Sequence, residues 1–390
     1  MDFEFTVENN INVFYIRDAS QLNLHLEKLS KTNCISVDLE FDRERFTYGS
    51  NICLIQLYYE DKCLLIDATS NNYYTSIFKI LEHPNILKIM HSPSEDLTLL
   101  HELNCFPVNI FDTEKAARLI NVKAFSLANI LAEFLQISID KSQQKTNWTI
   151  APLKTEQLKY AAKDVIYLPQ LRDVLLAQAT KLGITKWIEE ENKYWDSFRV
   201  EKKGDGQLTN KDDAKKLPPF QLFVLNELLK VRDKYAMKYN KPGFYMVSKE
   251  ILCDAIFDEE IFKNWKKQYG VYHALQNDTV KDEFLNAFKN AKEQANNLML
   301  KKKKDTSFLS LDKRIELSNQ RKLMDELVNK KYRPVHLEIT QRYGENTAMY
   351  ILNEKTMLEL ATQKITIDDL PYNYRKELIR SIINEKGITA

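Results

Sequence analysis

The chain has 390 residues, 44% of them hydrophobic, with only 8 glycines and 10 prolines, a composition that points to packed structure and excludes disordered or collagen-like sequence. At roughly 100 to 200 residues per domain it should hold two or three domains, and its longest apolar runs, such as 52–59, fall well short of the roughly 20 residues of a membrane span. A net charge of +1 hides an asymmetry: residues 1–200 carry about 21 Lys+Arg against 27 Asp+Glu, residues 201–390 about 35 against 28, so a polyanion-binding surface is expected in the second half.

Five cysteines without a C-x-x-C pair argue against a disulfide framework or a thiolate zinc site. The acidic opening Met1-Asp2-Phe3-Glu4 lacks a signal peptide's charge, and together these features predict a cytoplasmic protein without a membrane partner.

In chain order, residues 34–40, 52–59, 62–66 and 87–91 are short apolar, β-branched runs that read as strands, and another short run ends at Asp112. The pair at 52–59 and 62–66 is separated only by Glu60-Asp61, which predicts a hairpin and hence a mixed sheet. Leucines at helical spacing mark helices over 94–103 and 155–178, and Pro169 predicts a break near Tyr167 and Leu168. The apolar pattern lapses over 201–216, a linker composition. Only amphipathic helical patterns follow, one set over 217–300 and a second over 310–390, with Lys301, Lys302, Lys303 and Lys304 between them.

Asp38-Leu39-Glu40 places two carboxylates at i and i+2, on one face of a strand. Like charges so placed repel and raise each other's pKa unless a cation lies between them; a solvated strand edge is the alternative. Asp96 stands near the first turn of the leucine-rich helix, where an acid also serves the helix dipole. Tyr160 and Asp164, four residues apart, share one helix face.

Asp38-Leu39-Glu40, His91-Ser92-Pro93-Ser94-Glu95-Asp96 and Tyr160-Ala161-Ala162-Lys163-Asp164, in that order, resemble the three exonuclease motifs of the DEDD superfamily, tyrosine branch. Within it the ribonuclease D family fits best, over roughly 12–190. The resemblance implies an α/β RNase H-like exonuclease domain, residues 1–200, with a mixed five-stranded sheet. It implies two divalent ions, Mg²⁺ or Mn²⁺, held by Asp38, Glu40, Asp96 and Asp164, with Tyr160 orienting the attacking water. Phe41, His91, Lys141 and Trp148 are candidate substrate contacts, each with a packing role as the alternative.

Residues 217–300 resemble the helicase-and-ribonuclease-D C-terminal (HRDC) domain through Leu225 to Ala236, although Val231 stands where that family often has tryptophan; 310–390 would be a diverged second copy. The function implied is a 3′-5′ exoribonuclease releasing nucleoside 5′-monophosphates from tRNA or other structured precursors. A DNA exonuclease and a non-catalytic nucleic-acid-binding protein are the alternatives. RNA is the expected partner, DNA a possible one, and no obligate protein partner is evident.

Overall fold

A computed structural model of the chain describes residues 3–7, 11–69, 72–200, 206–303 and 311–388. The acidic Met1-Asp2 start, linker residues 201–205 and Lys304 lie outside the described residues. Seven strands, β1 (Phe3–Val7), β2 (Ile11–Ile16), β3 (Cys34–Arg43), β4 (Ser50–Tyr59), β5 (Lys62–Asp67), β6 (Leu87–Met90) and β7 (Ile110–Asp112), form one sheet in the order β1-β2-β5-β4-β3-β6-β7. β1/β2 and β4/β5 are antiparallel, whereas β2/β5, β3/β6 and β6/β7 are parallel. The mixed RNase H-like sheet of the sequence reading is present. It has seven strands where five were expected. The additional two are β1 and β2, whose runs are short, and β2 is recruited because Ile11, Val13 and Tyr15 bury one face beside β5.

The predicted hairpin forms because Glu60 (φ 43°) and Asp61 (φ 63°) both take left-handed backbone, the turn geometry that matches strand twist. Pro169 sits at the start of the helix Leu168–Lys181, where no helical N–H is needed of it, and the preceding helix Thr155–Ile166 ends at Tyr167.

The described chain divides into two compact units. The first comprises 1–40, 52–200 and 309–390. One apolar cluster runs through it, from Val13, Leu171 and Leu175 to Val335, Ile339, Ile379 and Ile382, so the C-terminal helices complete the core that the sheet begins. The second comprises 41–51 and 201–308. Its helices Pro219–Tyr239, Lys249–Ala255 and Asp278–Asn297 close over Phe284, Phe288 and Trp265, whose indole N–H donates to the Leu275 carbonyl at 2.9 Å. Part of the expected linker is helical: Lys211–Lys216 is capped by Asn210, whose side chain accepts from the Asp212 and Asp213 N–H groups, while Asp213 accepts from the Asn210 N–H. Among the described residues no helix is long and apolar enough to cross a membrane.

Candidate active site

β3 buries Ile35, Val37 and Leu39 on one face and so presents Asp38 and Glu40 together on the other. The helix Thr155–Ile166 buries Leu158, Ala161, Ala162 and Val165, which brings Asp164 to the same place. Carboxylate oxygens of Asp38, Glu40 and Asp164 lie within 4.8 Å of one another. β6 runs parallel to β3, pairing Ser36 with Ile89, and leads into the helix Ser94–Glu102, whose first turn carries the buried Asp96.

Three acids this close in a half-buried site are hard to charge. Burial, above all, raises the Asp38 carboxyl. Burial also holds Glu40 well above the carboxylate range, and the charges of Asp38, Asp164 and Asp96 push it further. Asp164 is raised by burial and then by Asp38, against a hydrogen bond from Tyr160 that favours its charged form. The Tyr160 phenol is driven well above its usual value by burial and then by Asp164, Glu40 and Asp38, so it stays protonated and can donate. The donor set is therefore hard oxygen, crowded and short of positive charge, and it suits a divalent cation.

The structure gathers some of the candidate contacts and separates others. A cavity of about 380 Å³ is lined by Asp38, His91, Lys141, Tyr160 and Asp164. Lys141 reaches the Ser126 hydroxyl at 3.1 Å and is otherwise exposed. His91 Nδ1 lies 2.8 Å from the Thr113 hydroxyl, and burial lowers its pKa to about 4, so it is a neutral imidazole at pH 7. Trp148 is buried, its ring centroid 6.2 Å from that of Tyr160, and it does not line the cavity. Phe41 does not line the cavity either; it is half-buried with the Arg43 guanidinium 5.3 Å over its ring.

Three residues escaped the sequence reading. Gln56 is fully buried on β4 with Nε2 3.4 Å from Asp38 Oδ2. Ser92 and Glu114 line the cavity, tied together by Asp112, whose Oδ1 accepts from both backbone N–H groups at 3.0 and 2.9 Å. Asp112 ahead of the helix Thr113–Leu119 is an N-cap signal legible in sequence; its grip on Ser92, twenty residues earlier, is not.

Against known proteins, residues 13–179 match the family model described as 3′-5′ exonuclease. A ribonuclease D of Shewanella sp. is 34% identical over 247 residues, 59% of this chain and 60% of that protein. One from Bartonella henselae is 27% identical over 274 residues, 67% of each. The matched region thus spans about three-fifths to two-thirds of these relatives' length. The crystal structure of Escherichia coli RNase D, described as an exoribonuclease involved in structured RNA processing, shares the fold with a TM-score of 0.64 at 20% identity, covering 95% of this chain and 98% of that one.

Proposed function

We propose, from the match of residues 13–179 to the 3′-5′ exonuclease model and the similarity to ribonuclease D, that the chain is a metal-dependent 3′-5′ exoribonuclease. It would release nucleoside 5′-monophosphates while trimming the 3′ ends of tRNA or other structured RNA. The observation that carries this reading is the cluster of Asp38, Glu40 and Asp164, with oxygens within 4.8 Å. Its hard ligands favour Mg²⁺ or Mn²⁺, with Asp96 as a fourth acid for a pair of ions. Bound divalent ions would supply Lewis acidity at the scissile phosphate and a lowered pKa for the attacking water.

The chain's own groups do the rest by position. Tyr160, kept protonated and donating to Asp164, turns its oxygen to the attacking water and orients it. The water's oxygen bonds to phosphorus and its proton passes to solvent, the bond to the 3′ oxygen breaks, and a proton from solvent completes the new 3′ hydroxyl. Lys141, at the cavity edge, is placed to hold a phosphate. The lysine-rich helical unit would grip the RNA backbone without reading sequence.

Purified protein with 5′-labelled single-stranded RNA or DNA, in Mg²⁺, Mn²⁺ or EDTA, tests this. RNA should shorten stepwise from its 3′ end, only with metal, and Asp38→Asn should abolish it. Cleavage that survives both EDTA and Asp38→Asn overturns the metal site. DNA shortened in preference to RNA makes the chain a DNA exonuclease, and both polymers intact make it a binding protein.

A further inference from the structure

We propose that a second cleft, between the helices Thr113–Leu119 and Glu345–Ile351, is a nucleotide subsite that takes an upstream nucleotide of a single-stranded polynucleotide whose 3′ end occupies the Asp38 cavity. This rests on the exonuclease reading above and deepens it. The cleft holds about 450 Å³, within the usual range for small-ligand sites, and its wall includes Arg118, Phe125, Met349, Tyr350, Asn353 and Arg375.

Two links tie it to the nuclease cavity. Phe125 lines both. Glu114, which lines the nuclease cavity, holds the Arg118 guanidinium at 2.6 Å, one helical turn away. A strand leaving the first cavity past Phe125 therefore meets the second.

The wall has the chemistry of a nucleotide site. The Arg118 guanidinium lies 4.0 Å from the Phe125 centroid and 5.6 Å from that of Tyr350; the Arg375 guanidinium lies 4.9 Å from Tyr350 on its own account. Rings and guanidinium groups thus alternate, Phe125, Arg118, Tyr350, Arg375, an array on which a base stacks while a phosphate meets fixed N–H donors. Both arginines are pre-set by carboxylates, Arg118 by Glu114 and Arg375 by the buried Glu191 at 2.6 Å. Lys115, 3.7 Å from Glu191, adds a third cation to the group. Asn353 accepts the Thr356 N–H and hydroxyl through its carbonyl, which leaves its amide NH₂ for a base edge.

Packing alone does not account for the cleft. The two helices are already joined by the Thr347 hydroxyl on the Arg118 and Leu119 carbonyls, both at 3.2 Å, and by the fully buried Ala348. A seam serving only adhesion would be filled.

The test uses fluorescein-labelled oligoribonucleotides of two and seven nucleotides, bound in EDTA and followed by anisotropy, with cleavage of the same oligonucleotides measured in Mg²⁺. Met349→Glu places a negative charge at an exposed rim position, and Asn353→Asp does so while keeping the helix cap. The gain in affinity from dinucleotide to heptanucleotide should shrink about tenfold in both variants, within the worth of one stacked base. Met349→Lys should enlarge it. An equal gain in wild type and both acidic variants overturns the subsite, as does an equal loss at both lengths. A Met349-dependent gain in a protein that cleaves neither oligonucleotide in Mg²⁺ supports the subsite and overturns the exonuclease reading instead.

Discussion

The first unit shields carboxylates in two places and treats them oppositely. Glu191, 1% exposed, accepts from Arg375 at 2.6 Å, from the Tyr374 hydroxyl at 2.6 Å and from the Tyr350 hydroxyl at 2.9 Å, with Lys115 at 3.7 Å; the Lys115 ammonium in turn lies over the rings of Tyr194 and Trp195. Asp38, Glu40 and Asp164 instead face one another, and the charges acting most on Glu40 are all negative. Where the counter-charge is permanent, the chain provides the cations itself. Where three acids face one another, the proposed divalent ions would provide the missing charge.

Three experiments bear on that contrast. Glu191→Gln leaves Arg375 and Lys115 buried without their counter-ion, and the first unit should lose about 3–5 kcal/mol in urea unfolding. A loss below about 1 kcal/mol would place Glu191 with ordinary surface pairs and dissolve the contrast.

Tyr160→Phe keeps the ring and removes only the hydroxyl. Single-turnover RNA cleavage should slow about 10–100-fold with Mg²⁺ affinity and folding little changed, and an unchanged rate would strip Tyr160 of its orienting role.

The smallest effect concerns the acids themselves. Their folded-state pKa values lie above the unfolded ones, so the folded state retains protons that the unfolded state has released. The stability of the wild type relative to Asp38→Asn in EDTA should therefore fall as pH rises from about 4 to beyond neutrality. At pH 8, either Mg²⁺ or Asp38→Asn should raise the Tm by about 2–4 °C, read by calorimetry. A wild type whose stability relative to Asp38→Asn instead climbed with pH in EDTA would mean that the chain already neutralises this site.

What could be read from sequence was what short-range physics fixes. Glu60-Asp61 sets a hairpin, Pro169 ends a helix, and alternation along β3 aims Asp38 and Glu40 the same way. Asp96 was legible only through resemblance, since a first-turn acid looks the same whether it serves a helix dipole or a site. The Asn210 and Asp213 capping pair was overlooked in a segment rich in lysine and glycine. The Glu191 network was out of reach: its partners Arg375 and Tyr374 lie 184 and 183 residues away, and no local pattern announces an ion pair of that span. The second cleft is hidden for the same reason, because its walls come from residues around 118 and 350.

The interleaving of the two units also has a consequence in time. Arg375 is 184 residues beyond Glu191, so at roughly 5–20 residues per second a ribosome leaves that carboxylate without its cation for on the order of ten to forty seconds. All of 201–308 is synthesised in that interval, and the helical insert can close while the sheet before it still lacks the C-terminal part of its core. On the ribosome the first unit is therefore begun before the helical insert and completed only after it.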